Sequence, residues 1–245
     1  MAKGVKRIDV RDPPFETKEL RSQLASYLKQ KAPTPNSQLQ VGAYRWGIYA
    51  FFDYDDEPIY VGQTKEKVST RIRRHLTNQR TDAVAMSVLD PFEVARIEVW
   101  PLPQFQQTSK EDADACRHLD ALERTIYERE VKRSKFEAVL NEKDPPKTSR
   151  RVPIPDSVSG RIVSDDVLEL RGHPDLRIAR RSLIISRLAQ VISEREVQPG
   201  LRRVLLVQAK RLTWLAEQRF SSLGGNASVP EEGHEETDDD EPDTA

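Results

Sequence analysis

The stretch Gly47-Ile48-Tyr49-Ala50-Phe51-Phe52-Asp53-Tyr54-Asp55-Asp56-Glu57-Pro58-Ile59-Tyr60-Val61-Gly62 decides the fold. Two runs rich in aromatic and β-branched residues flank a polar turn containing Pro58, the pattern of a β-hairpin. The first strand is expected to begin at Tyr44 and end at Phe52, and the second to cover Ile59 to Gly62. Just beyond, Thr64 is placed to cap a helix on which Val68, Ile72 and Leu76 form a buried line at i, i+4 and i+8. Arg71 and His75 lie four apart on an adjoining face and point the same way.

Outward from the hairpin, Phe92 to Leu102 reads as a third strand, with Val94, Ile97 and Val99 β-branched and Pro101 and Pro103 closing it. Ser109 and Asp112 give a capping-box-like start to a long helix from about Lys110 to Arg133, with Cys116, Leu119, Leu122, Ile126 and Tyr127 on its apolar face and Glu123 close beside it. Upstream, Leu20, Leu24, Tyr27 and Leu28 form one stripe of a helix over Thr17 to Lys31, ended by Pro33 and Pro35. Downstream, Pro153, Pro155 and Gly160 lie among basic residues as in a linker, and Val167 to Leu170 fits a short strand or a turn. Two further helices, Leu176 to Glu194 and Leu201 to Phe220, are separated by Pro199-Gly200. The expected architecture is α+β, with a three-stranded antiparallel sheet flanked by helices and followed by a helical hairpin. Its parts are an N-terminal helical extension at 1–43, the α+β domain at 44–144, a basic linker at 145–175, the hairpin at 176–223 and a disordered acidic tail at 224–245.

The chain has 245 residues with 39 Lys and Arg against 40 Asp and Glu, a net charge of −1 that conceals two opposite regions. Nine of the acids fall between Pro230 and Ala245, where there is no Lys or Arg, so the body holds 31 acids against 39 bases, a formal +8. A basic body suggests a polyanionic partner, most simply nucleic acid. The tail is a solubilising segment or a mimic of DNA. No run of about 18 apolar residues occurs and the first residues lack an apolar signal core, so no membrane association and a cytoplasmic location are expected. Cys116 has no partner cysteine, which excludes an intramolecular disulfide and a cysteine-based zinc site.

Gly47-Ile48-Tyr49, ten intervening residues, Tyr60-Val61-Gly62, then Arg71-x-x-x-His75 and Leu122-Glu123-x-x-Ile126 together resemble the GIY-YIG nuclease superfamily, and Arg-x-x-x-His resembles its restriction branch. The second motif has Val61 where the family name has Ile, and Gln63-Thr64 also looks like the family. The resemblance covers about Tyr44 to Asn141 and implies a DNA endonuclease, most simply acting on double-stranded DNA in restriction or phage defence. It further implies Glu123 as the single metal-binding carboxylate and Asn141 as the downstream asparagine of the site. A homing nuclease and a catalytically silent nucleic-acid-binding module are the alternatives, and a homodimer would suit a palindromic target.

Phosphodiester hydrolysis needs a nucleophilic water, a group to take its proton, positive charge on the phosphate oxygens and help for the leaving 3′-oxygen. Tyr49 is suited to orient or deprotonate that water with help from His75, because a phenol with a reference pKa near 10 is a poor base alone. Tyr60 sits across the hairpin, where it would bond to the water or the phosphate. Arg71 can fork onto phosphate oxygens, and Glu123 offers a hard oxygen ligand to Mg²⁺ or Mn²⁺. Arg73, Arg74, Arg150 and Arg151 are candidate phosphate contacts, as are Arg161, Arg177, Arg180, Arg181 and Arg187, although the helical hairpin serves equally as a packing element. His118 is read as structural.

Overall fold

A computed structural model describes residues 12–32, 39–77 and 89–225. Pro33, Pro35 and the acidic tail from Pro230 onward lie outside the described residues. The chain runs α1 (Phe15–Leu28), β1 (Gly47–Phe52), β2 (Pro58–Thr64), α2 (Val68–Leu76), β3 (Arg96–Pro101), α3 (Ala113–Arg133), β4 (Val158–Arg161), α4 (Asp165–Arg171), α5 (Pro174–Glu194) and α6 (Pro199–Ser222). The four strands are antiparallel in the order β2-β1-β3-β4.

The α+β architecture is the expected one, and the sheet gains a strand from the segment read as a linker. Val158 pairs with Val99 and Arg161 with Arg96. Residues 158–161 alternate buried and more exposed positions over too short a span to stand out in sequence, and their pairing is fixed from outside. Tyr27 of α1 donates its hydroxyl to the Val158 carbonyl at 2.8 Å, and its ring lies where a Cβ on Gly160 would come within 2.6 Å. Val167 to Leu170 belongs to α4, whose first turn is capped by the Ser164 hydroxyl accepting from Val167 N–H. At α3, Asp112 rather than Ser109 is the cap, accepting from Ala115 N–H. The Thr64 hydroxyl does not cap α2; it accepts from Glu66 N–H within the turn before the helix, and α2 begins after Lys67.

All six residues of β1 are buried, because helices cover both faces of the sheet. The period-2 alternation sends Tyr49, Phe51, Ile97, Val99 and Val158 to the face shared with α1, α2, α5 and α6. The same alternation sends Ile48, Ala50, Phe52, Val61 and Trp100 to the face covered by α3. The Leu20, Leu24, Tyr27 and Leu28 stripe of α1 is buried as its spacing predicts.

The C-terminal hairpin turns only part of its arginine complement inward, while Arg187 and Arg202 stay exposed. Arg177, Arg181 and Arg211 are each about 97–99% buried and converge on Asp53, the first residue after β1. Arg181 donates to Asp53 at 2.7 Å, Arg211 also donates to the Pro58 carbonyl at 3.1 Å, and Arg177 forks onto Asp55. Arg180 lies between Glu16 and Asp90, and Arg161 pairs with Asp165. Arg180 is half-buried beside Glu16 and Asp90, whereas for Arg177 and Arg181 the packing role holds, because their charges are met by carboxylates inside the protein. Breaking such a buried pair by removing one partner costs about 3–5 kcal/mol.

Candidate active site

β1 and β2 place Tyr49 opposite Gly62 and Phe51 opposite Tyr60, so the aromatic side chains stack on one face of the hairpin. Helix α2 closes over that face. Ile72 and Leu76 are buried, and His75, one turn beyond Arg71, is buried against the tyrosines. The His75 ring lies 5.3 Å from Tyr60 and 5.7 Å from Tyr49, centroid to centroid. The Tyr49 hydroxyl is 2.9 Å from His75 Nε2 and accepts from Arg71 Nε at 3.2 Å. With Arg71 donating to the phenol oxygen, the phenol proton is available to His75 Nε2 in the tautomer that carries its hydrogen on Nδ1.

Gly62 makes this arrangement possible. A Cβ there would stand 2.7 Å from the Tyr49 hydroxyl and 2.6 Å from the Tyr60 ring, closer than real contacts allow. Burial pushes the Tyr49 phenol well above its ordinary value, the neighbouring Tyr60 adds to the rise, and Arg71 opposes it.

Glu123 approaches from the other face of the sheet. Gln63, two residues after Val61 on the same side of β2, donates its amide nitrogen to Glu123 Oε2 at 2.9 Å and to Asp120 Oδ1 at 2.8 Å. Asp120 and Glu123 are three apart on α3 and so share a face. Glu123 is only 8% exposed; burial raises its carboxyl to about 7, and Asp120 adds to the rise while the Gln63 hydrogen bond and Arg71 oppose it. Arg71, Gln63 and Asp120 line one open cleft of about 390 Å³. Arg71 therefore belongs both to the tyrosine cluster and to the carboxylate cleft.

Asn141 is buried away from these reacting groups. Its side chain accepts from Val61 N–H at 3.0 Å and donates to Val61 C=O at 2.7 Å, completing the outer edge of β2 as a neighbouring strand would. Arg73 and Arg74 are exposed on α2, and Arg74 pairs with Glu66 at 2.7 Å. Arg150 and Arg151 are exposed beside α3, where Arg151 pairs with Glu128 at 3.0 Å, and neither lines the cleft. His118 stacks edge-on with Phe105, and burial, with a smaller contribution from Arg150, lowers its pKa. Cys116 packs partly buried against the core, as expected, and also lines the cleft: its Sγ accepts from Lys65 Nζ at 3.5 Å and donates to the Lys110 carbonyl at 3.3 Å.

Residues 45–133 match the family model of the GIY-YIG catalytic domain. Residues 45–133 of this chain are a GIY-YIG catalytic domain. No curated protein and no solved structure matches it. The matched span contains both tyrosines, Arg71, His75 and Glu123; Asn141 and the C-terminal helices lie beyond it. A GIY-YIG catalytic domain is typical of endonucleases and supports a nuclease activity, with DNA as the implied substrate, and such nucleases generally use divalent metals. Among the described residues no helix is long and apolar enough to cross a membrane.

The family resemblance picks out Tyr49, Tyr60, Arg71, His75 and Glu123, while Gln63 and Asp120 as a linked pair escape it. The i−3 relation of Asp120 to Glu123 was the available signal, masked by the many other charges on α3.

Proposed function

We propose that this protein is a divalent-metal-dependent DNA endonuclease of restriction type. The observation that carries the reading is the Tyr49 hydroxyl held between His75 Nε2 at 2.9 Å and Arg71 Nε at 3.2 Å. A phenol raised so far by burial cannot wait as a phenolate, so Tyr49 works as a relay. It takes the proton of the attacking water on its oxygen as its own proton passes to His75 Nε2. The water oxygen bonds to phosphorus, the bond from phosphorus to the 3′-oxygen breaks, and the leaving oxygen takes a proton from solvent in the open cleft. Arg71 spreads positive charge over the phosphate oxygens and steadies charge on the Tyr49 oxygen as the proton moves. Tyr60 packs the other side of His75 and fixes its ring.

The residues present fit a Mg²⁺ or Mn²⁺ ion. Glu123 and Asp120 offer hard carboxylate oxygens tied to one amide, and among the described residues no larger group of His, Cys, Asp and Glu is gathered. Such a ligand-poor site suits a hard cation that keeps several waters and meets the substrate phosphate. When bound, the ion would act as a Lewis acid at the phosphate. Glu123 is its inner carboxylate in this reading, and Gln63 holds Glu123 in place. Asn141 acts as a positioning residue through Val61, and Arg73, Arg74, Arg150 and Arg151 contribute phosphate contacts outside the cleft.

Incubating supercoiled plasmid with the protein and Mg²⁺ or Mn²⁺ tests the proposal. Wild type should cut, with fixed ends mapped on sequenced DNA, and Glu123→Gln should not. Random ends would remove the restriction role, cutting by Glu123→Gln would remove the metal role of Glu123, and binding without cutting by wild type would indicate a silent binding module.

A further inference from the structure

The cleft that holds Gln63 and Asp120 is bordered by two lysines that have no part in the chemistry described above. Lys65 stands in the turn between β2 and α2, and Lys110 in the segment before α3; both are exposed and both line the cleft with Arg71. Its acidic members have internal partners: Asp120 holds the Gln63 amide, and Glu66 is paired with Arg74. Neither lysine forms an ion pair with any described carboxylate. The Lys65 ammonium rests instead on Cys116 Sγ at 3.5 Å, and that thiol turns its own proton to the Lys110 carbonyl at 3.3 Å, linking the two loops across the cleft. Sulfur is a weak acceptor and cancels no charge, so the ammonium keeps its capacity for an anion. The site is thus a space of about 390 Å³, in the size range of small-ligand sites, with its lining carboxylates hydrogen-bonded or paired and two lysines at its rim whose nearest opposite charge is the exposed Glu111.

We propose that Lys65 and Lys110 form a two-loop clamp on a backbone phosphate of the DNA strand next to the scissile one. The inference rests on the nuclease reading of this cleft and names a contact that reading leaves open. The clamp sets where the strand lies, since phosphate contacts position a duplex without reading its sequence.

Salt-dependent binding tests the clamp. A fluorescein-labelled duplex is titrated with full-length protein in EDTA across a series of salt concentrations, in parallel with plasmid cleavage in Mg²⁺. Lys65→Gln and Lys110→Gln should each make the slope of log affinity against log salt shallower by about 0.9, and the double variant by about twice that. Lys210→Gln, on the exposed face of α6, should leave the slope at the wild-type value, and melting temperatures should stay unchanged. A wild-type slope in the double variant would overturn the clamp while wild-type cleavage keeps the nuclease reading. An equal loss in Lys210→Gln would also overturn it, by showing a general charge effect. Shallower slopes with no cleavage by wild type would remove the nuclease and with it the placement beside a scissile phosphate, keeping Lys65 and Lys110 only as DNA contacts, and absence of binding by wild type would remove both.

Discussion

Replacing Tyr49 by Phe removes one oxygen from a ring that is wholly buried between Phe51, Tyr60 and His75, so folding and activity should separate. The lost hydrogen bonds to Arg71 and His75 should cost about 1 kcal/mol of stability, whereas removing the relay should slow cleavage about 10²–10⁴-fold. Single-turnover plasmid nicking beside a thermal melt reads both; retained cleavage in a folded variant would take Tyr49 out of the mechanism. Gly62→Ala attacks the same atom sterically. Its new methyl would meet the Tyr49 hydroxyl at 2.7 Å and the Tyr60 ring at 2.6 Å, so the ring must move off His75 or Arg71. Cleavage should fall at least 10-fold, since misplacement of about 1 Å can cost 10²-fold, with near-wild-type helix content by circular dichroism. At this scale the sequence was informative because the two motifs lie on facing strands, where spacing translates directly into contact. The Gln63 bridge was not, because it joins residues 57 and 60 positions apart and depends on how α3 crosses the sheet.

Elements tell the same story at longer range. Asn141 supplies the pairing that the free edge of β2 would otherwise lack at Val61, between Tyr60 and Gly62. Arg203 of α6 donates to the Asn141 carbonyl at 3.1 Å and to Asp144 at 2.6 Å, so the C-terminal hairpin holds the segment that holds β2. Asn141→Ala should leave two buried backbone groups of Val61 unpartnered at about 1–3 kcal/mol each. Urea unfolding should show that loss, and cleavage should fall at temperatures where the protein is still folded. An unchanged urea midpoint would show that water replaces the clamp. Strands β1 to β3 and all the long helices were legible from periodicity. β4 and α4 were not, because four residues beside prolines acquire their strand from Tyr27 and Val99, both far away in sequence.

For the whole molecule, the positive body of the sequence divides into charge that faces solvent and charge that glues the C-terminal hairpin to the sheet. The pattern held a clue to the second kind: Arg177 and Arg181 share one stripe of α5 with Ile184 and Leu188, and all four are buried. That interface contains two carboxylates shifted in opposite directions. For Asp53, burial alone would raise the pKa, but Arg211, Arg181 and Arg177 outweigh it and hold it below the ordinary 3.8. Glu93 lies 3.7 Å from Arg181 without a hydrogen bond to either oxygen, and burial raises it above 4.5 against the pull of Arg181 and Arg177, with Asp90 and Asp53 adding to the rise. Asp53 therefore contributes stability that is present above its unfolded value and lost as pH falls through its lowered one. Glu93 contributes stability that is complete below its unfolded value and lost as pH rises through its raised one. The urea midpoint should accordingly pass through a maximum on the acid side of neutrality. Glu93→Gln should make the decline toward higher pH shallower, the remainder coming from Glu123, raised to about 7, and from Glu130, also raised by burial. Asp53→Asn should lower stability by about 3–5 kcal/mol at neutral pH, because three buried guanidinium groups lose their shared counter-charge. A Glu93→Gln profile as steep as that of the wild type on the alkaline side of the maximum would assign the whole decline to the other raised carboxyls.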